Sequence, residues 1–254
     1  MVVFPALITL ASSGRSDAFF AENGLSRDGW RLFGVDGRAL AAGAYFRTGV
    51  AGRVVPLTPA EVGCAMSHLE AYRAFLESGA DVLLVYEDDA RLQGPLPDFS
   101  AIFEPRADRP AMLHLGGQDG LTTRGRLHGK RVSPELDVWR VPPPAYRCLW
   151  RTCSYMLNRP AAQLLLARQE LKMLNADSWR FFFREHPIDL FYSPRVAHPV
   201  HLGGSLIESE RLSMTARSRL RLLFVKAVGA ATLLRLKLTG HAPIHGRRPG
   251  SPAG

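Results

Sequence analysis

The chain opens on an apolar, β-rich run, Val2–Leu10, that ends at Ala11-Ser-Ser-Gly14 and predicts a strand followed by a turn. Asp17–Asn23, with Gly24 behind it, predicts a short helix stopped by glycine. Trp30–Val35 predicts a second strand, closed by the turn pair Asp36-Gly37. Residues 38–57 are rich in Gly and Ala without a clear period and predict a loop. Thr58-Pro59-Ala60-Glu61 is a strong helix start. Thr58 can cap the free backbone N–H groups, Pro59 fits the first helical position and Glu61 completes a capping box. That helix should run to about Ser78 and stop at Gly79. Asp81–Tyr86 is then a nearly continuous apolar run, as expected of a strand buried on both faces.

Further along, Ala111–Leu115 predicts a strand ending in Gly116-Gly117, and the polar residues 118–137 predict a loop. Val138–Val141, Cys153–Leu157 and Arg195–Val200 are further strand candidates. Asn158-Arg159-Pro160 opens a helix to about Leu174, with Asn158 as its cap. The alternation of strand and helix predicts an α/β fold: a mostly parallel central sheet with helices on both faces.

Charge changes the picture at one end of the chain. The formal net charge is +9, yet the 44 residues from Arg211 onward hold nine Lys/Arg and no Asp/Glu. The first 210 residues are therefore balanced, with 23 basic and 23 acidic side chains. This divides the chain into a body over 1–210, a basic tail over 211–240 and a Gly/Pro/His/Arg-rich end over 241–254 expected to be disordered. Within the tail, Leu220, Leu223, Ala227, Leu234 and Leu238 recur at helical spacings beside Arg217, Arg221, Lys226 and Arg235. This fits an amphipathic helix on an anionic membrane surface, or one packed on the body or on a partner. Aromatic residues do not interleave with the basic ones, which argues against nucleic acid. A hydrophobic content of 46% excludes a wholly disordered chain, and no apolar run approaches the roughly 20 residues of a membrane span. The start lacks the pattern of a secretory signal, and Cys64, Cys148 and Cys153 lack zinc-site spacing. A reduced, cytoplasmic setting at the inner face of a membrane is expected.

The candidate chemistry lies at Glu87-Asp88-Asp89, directly after a hydrophobic strand. Adjacent carboxylates repel, so a fold that gathers them usually supplies a cation; the alternative is a solvated acidic turn. Strand alternation would place Glu87 and Asp89 on one side and Asp88 on the other. In open α/β sheets ligands bind beyond the carboxyl ends of the strands, where oxygen ligands suit Mn²⁺ or Mg²⁺ shared with a diphosphate.

Thr58-Pro-Ala-Glu61-Val-Gly63-Cys64-Ala-Met-Ser67-His68, followed by the apolar strand and Glu87-Asp88-Asp89, resembles glycosyltransferase family 25. Ala60 departs from the family's usual glycine. Weaker matches at Leu7–Leu10 with Arg15, at Trp30–Gly37, at Ser154–Ala162 and at Pro187-Ile-Asp189 extend the resemblance over roughly residues 5 to 208.

The resemblance implies a GT-A-like fold, a UDP-sugar donor, typically UDP-galactose, and a divalent metal, typically Mn²⁺. It implies a hexosyltransferase, expected to be inverting, acting on lipooligosaccharide or another cell-envelope glycan or glycolipid. Asp89 would bind the metal, Glu87 the metal or the ribose, and Asp88 would help indirectly. Arg15, Asp36, Ser67 and His68 are donor-site candidates, each with a structural alternative. The acceptor hydroxyl needs a base, for which Asp189 is the first candidate and Asp119 the second. His198 and His201 flank the late strand; the implied fold often recruits a late histidine as an extra metal ligand, but structural roles are expected for both here. The rival readings are a metal-dependent phosphohydrolase, against which the first strand carries no aspartate nucleophile, and an inactive membrane-associated protein of transferase fold.

Overall fold

The structure, a computed structural model, describes residues 1–198 and 231–245. In chain order the elements are β1 (Val3–Ile8), α1 (Arg15–Asn23), β2 (Arg31–Phe33), α2 (Ala42–Tyr45), α3 (Pro59–Glu77), β3 (Val82–Glu87), β4 (Arg91–Leu92) and α4 (Ser100–Phe103). There follow β5 (Ala111–Gly116), β6 (His128–Ser133), β7 (Val138–Arg140), β8 (Ser154–Asn158), α5 (Arg159–Leu171), α6 (Trp179–Phe182), β9 (Asp189–Ala197) and β10 (Ala242–Pro243).

The α/β class is as expected. One sheet has the order β10-β6-β7-β9-β5-β8-β3-β1-β2, with β4 beside β9. Its parallel pairings are β2–β1–β3 and β5–β9. β8 enters antiparallel between β3 and β5, and the β6–β7 hairpin is antiparallel too, so the sheet is mixed. Because β8 opposes both neighbours, β1, β2, β3, β5 and β9 all deliver their carboxyl ends to one edge.

Helices cover both faces. On one, Tyr72 and Phe75 of α3, Leu165 of α5 and Trp179 and Phe182 of α6 pack on the sheet. On the other lie Phe19 and Phe20 of α1 and Phe99 and Phe103 around α4. Each such aromatic contributes about 1.5–3 kcal/mol through burial. The start of α3 forms as its sequence dictates: Thr58 Oγ1 accepts from the Glu61 N–H at 3.1 Å, and Glu61 Oε2 from the Thr58 N–H at 2.8 Å. Gly63 lets this helix press on the turn after β2, since a Cβ there would lie 2.5 Å from the Val35 carbonyl oxygen.

Four expectations are corrected. Residues 38–57 contain α2 and a wide helical turn over Phe46–Val50, fastened by Tyr45 Oη to the Leu57 carbonyl at 2.7 Å. Within 118–137, β6 is a strand whose Lys130, Arg131 and Val132 face solvent, so it carries no apolar alternation to read. β9 begins at Asp189, six residues early; Pro194 lies beside a register shift in the β5–β9 pairing, where a missing N–H is tolerated. Finally, part of the expected disordered end is paired: Ala242 and Pro243 lie against Gly129 and His128 of β6.

Of the basic tail, residues 231–238 are helical and dock through Leu236, which is buried, whereas Leu234 and Leu238 of the expected apolar stripe are exposed. The rest of that stripe, His201 and residues 246–254 lie outside the described residues. Among the described residues no helix is long and apolar enough to cross a membrane.

Candidate functional site

Glu87 ends β3, and Asp88 and Asp89 form the turn beyond it. Alternation therefore stops at Glu87, and the expected pairing of Glu87 with Asp89 on one side does not hold. The three carboxylates meet different partners. Glu87 Oε1 accepts from Thr152 Oγ1, lies 3.3 Å from His68 Nε2 and 3.9 Å from Cys64 Sγ. Asp88 accepts from Thr9 Oγ1 at 2.7 Å and pairs with Arg15 at 3.2 Å. Asp89 Oδ2 sits 3.2 Å from His198 Nε2 and 3.9 Å from Arg15.

The neighbours Asp88 and Asp89 differ electrostatically. Burial raises the Asp88 carboxyl above its ordinary range, against the pull of Thr9 and Arg15. Burial also pushes Asp89 upward, but the hydrogen bond and charge of His198, with the charges of Arg15 and Arg151, outweigh it and hold Asp89 low. Asp89 is therefore a carboxylate, and its Oδ1 is buried with no hydrogen-bond partner among the described residues. The same is true of His198 Nδ1.

Asp119 joins this group from the next strand end. After β5 the chain turns through Gly116 and Gly117, both at positive φ. A Cβ on Gly117 would lie 1.9 Å from Cys153 Sγ, so only glycine passes. The turn is clamped by Arg151, whose guanidinium donates to the carbonyls of Gly117 at 2.7 Å and Asp119 at 2.8 Å. Arg151 itself holds φ 66°, an unfavourable value for a non-glycine residue, while its carbonyl accepts from His114 Nε2–H and Trp179 Nε1–H. Asp119 Oδ2 accepts from the His198 N–H at 3.1 Å, and Oδ1 lies 3.6 Å from Arg124.

The other expected site residues divide. Arg15 is in the site and half exposed. His68 is buried with Nδ1 2.7 Å from Tyr155 Oη, and it faces Glu87. Ser67 is buried and committed to backbone: it donates to the Gly63 carbonyl and accepts from the Val35 N–H, both at 2.8 Å. Asp36 caps its own turn, and the hydrogen bonds of Arg38 hold its carboxyl below the usual range.

Asp189 is not brought to the site. It pairs with Ala111 at the start of β5, level with Val82 rather than Glu87, about 16 Å away along the strands. Its carboxylate is shared by Arg106 at 3.0 Å, Arg109 at 3.4 Å and Arg140 at 2.6 Å. The site residues the sequence did not reveal are Thr9, Arg151, Thr152 and, against its expected structural role, His198. Thr9 lies inside the Leu7–Leu10 match but was given no role there, and no motif marks Arg151 or Thr152. For His198 the signals were its place by the late strand and the use of a late histidine as metal ligand in the fold that the resemblance implies.

Residues 45–114 match the family described as "Glycosyltransferase family 25 (LPS biosynthesis protein)". The chain is 28% identical over 200 residues to "Procollagen galactosyltransferase 1" of Danio rerio, covering 67% of this chain and 31% of that protein. It is 30% identical over 218 residues to "Probable inactive glycosyltransferase 25 family member 3" of Rattus norvegicus, covering 72% and 35%. With "Inactive glycosyltransferase 25 family member 3" of Homo sapiens the identity is 29% over 181 residues, covering 64% and 28%. The chain thus spans about a third of the length of the curated relatives it matches. Among solved structures, a putative glucose-1-phosphate thymidylyltransferase from Bacillus anthracis superposes with a TM-score of 0.38 at 14% identity, over 84% of this chain and 77% of that one. By the segment that holds the capped helix and the acidic strand end, and by relatives across about two thirds of its length, this chain is related to glycosyltransferase family 25.

Proposed function

We propose that the chain transfers a hexose, galactose before others, from a UDP-sugar to a glycan or glycolipid acceptor of the cell envelope, with inversion and with Mn²⁺ or Mg²⁺ bound. One observation carries this reading: Asp89, an ionised carboxylate with a buried oxygen that has no partner among the described residues, faces His198 and Arg15 at the carboxyl edge of the sheet. Galactose is favoured by the name of the Danio rerio relative, and a lipopolysaccharide-type acceptor by the family's description.

Carboxylate and imidazole donors, each with an atom lacking a partner among the described residues, fit such a cation. Asp89 and His198 would hold it; Glu87 contributes less, because its Oε1 is turned to His68 of α3 and to Thr152 before β8. Held by these residues, a divalent ion would supply positive charge against that building on the departing UDP. Arg15 would add positive charge beside the diphosphate, and Asp36, half-buried after β2, would reach the ribose. The acceptor oxygen attacks the anomeric carbon as its bond to UDP breaks, and the acceptor proton passes to a base. Asp119 takes that role, since it stands beside His198 at the same edge. The basic tail would hold the enzyme at an anionic membrane surface.

A second reading, a transferase fold without activity, is favoured by the relatives named inactive. A screen of UDP-sugars with and without Mn²⁺, followed by donor hydrolysis and by thermal shift, separates the two. Mn²⁺-dependent consumption of one UDP-sugar is expected. Binding without turnover selects the inactive reading, and neither binding nor turnover overturns both.

A further inference from the structure

We propose that Cys64, His68 and Glu87 form a second metal centre for a thiophilic ion such as Zn²⁺, separate from the cation position at Asp89. The sulfur, Nε2 and a carboxylate oxygen of these residues lie within 4.8 Å of one another. Cys64 and His68 are four residues apart on α3, so they project from one helical face, and Glu87 meets them from the end of β3. A tetrahedral zinc ion with bonds of about 2.0–2.3 Å keeps its donors about 3.3–3.7 Å apart. The separations of Glu87 Oε1 from His68 Nε2 and Cys64 Sγ are 3.3 and 3.9 Å. Three protein ligands of mixed S, N and O type leave a fourth position for water, and the thiolate selects Zn²⁺ over Mg²⁺ or Ca²⁺.

The surroundings are those of a supported site. His68 is buried, and its other ring nitrogen lies 2.7 Å from Tyr155 Oη, which is itself 2.8 Å from Tyr72 Oη. Such a partner fixes the orientation and tautomer of a ligating histidine. Thr152 donates to the same Glu87 oxygen. Metal entry takes the place of protons: the Cys64 thiol releases one to solvent. The imidazole then carries its proton on Nδ1, toward Tyr155, so that Nε2 presents its lone pair to the ion. Bound metal would tie α3 to the end of β3, one residue before the Asp88-Asp89 turn.

Cobalt(II) titration of the purified protein tests this. One equivalent should produce thiolate-to-cobalt charge-transfer absorption, and Cys64→Ser should abolish it. Tyr155→Phe, which keeps the ring but removes the partner of His68, should weaken cobalt binding about 10- to 100-fold. Asp89→Ala should leave the band in place, which keeps this centre independent of the proposed transferase reading. In the unaltered protein Zn²⁺ should protect Cys64 from iodoacetamide while Mg²⁺ does not; Cys148 and Cys153 are buried, so the labelling reports Cys64. That measurement decides the matter alone if Cys64→Ser fails to fold. Absence of both the band and the protection overturns the proposal, as does a band that survives Cys64→Ser or vanishes in Asp89→Ala.

Discussion

The two ends of the sheet treat an aspartate in opposite ways. At the amino end of β5 and β9, Asp189 has three guanidiniums around one carboxylate. Its cleft, about 470 Å³, is also lined by Lys130 and His241, so its charge is more than matched. At the carboxyl edge, Asp88, Asp89 and Asp119 share Arg15, Arg124 and His198, and a buried oxygen of Asp89 keeps no partner among the described residues. Both arrangements are charged and partly buried. A satisfied cage of ion pairs holds elements together, whereas a carboxylate with an unused oxygen has capacity for a ligand. Only the second has that capacity.

The largest expected effect breaks the comparison at its acidic side. Asp89→Ala should cut transfer by at least about 100-fold, the scale of losing one group that stabilises charge in the transition state. It should also remove Mn²⁺-dependent thermal stabilisation by UDP. Retained turnover would take the cation away from this edge. Next comes the pair Asp119→Asn and Asp189→Asn, assayed side by side. The first should lower the rate about 100-fold with donor binding kept, the scale of losing a general base. The second should leave the rate within a few-fold and instead lower stability by about 1–3 kcal/mol, because Arg106 loses its partner in a largely buried setting. Equal rate losses would mean the two ends are not separable in function.

How far the sequence reached follows from the same contrast. The capping box at Thr58, the apolar β3 and the acidic residues after it are local patterns, and the structure forms them where they were read. Asp189 was read as a base from a short Pro-x-Asp match. Its surroundings come from residues near 106, 109 and 140, which no local pattern joins. The clamp at Arg151 is hidden for the same reason, since its role depends on a left-handed backbone and on the turn at Gly117. β6 escaped because its exposed Lys130-Arg131-Val132 lacks alternation, and β10 because a two-residue strand has none to show. Patterns within one element were legible, and partners between elements were not.

A smaller effect sharpens the acidic side. The Asp88 carboxyl is raised by burial, so its charged form costs stability near neutral pH. The sign follows: that cost is absent below the unfolded-state value near 4 and is present once pH passes the folded value. Asp88→Asn keeps an acceptor for Thr9 and should raise the melting temperature at pH 7 by a few degrees. The gain should fade as pH falls toward 4, where the native carboxyl is itself protonated. A gain that persists at pH 4 would point to packing instead of charge.

The smallest effect concerns the segment that joins the two ends. From His241 in the arginine-lined cleft, β10 runs along β6 to His245, whose Nε2 lies 2.9 Å from Tyr192 Oη. Burial, then the charge of Arg124, hold the His245 imidazole down to about 4. Docking therefore requires the neutral ring. Its stability is complete above the unfolded value near 6.5 and is lost as pH falls from there toward 4. At pH 5 the segment should open more readily by about 1 kcal/mol, discounted for partial exposure, or roughly five-fold. Hydrogen exchange over residues 231–245 at pH 7 and pH 5, corrected for the intrinsic rate, reads this directly. His245→Gln should flatten the difference. If the pH dependence persists, the proton acts elsewhere, and His241 at the arginine-rich end is the next ring to replace.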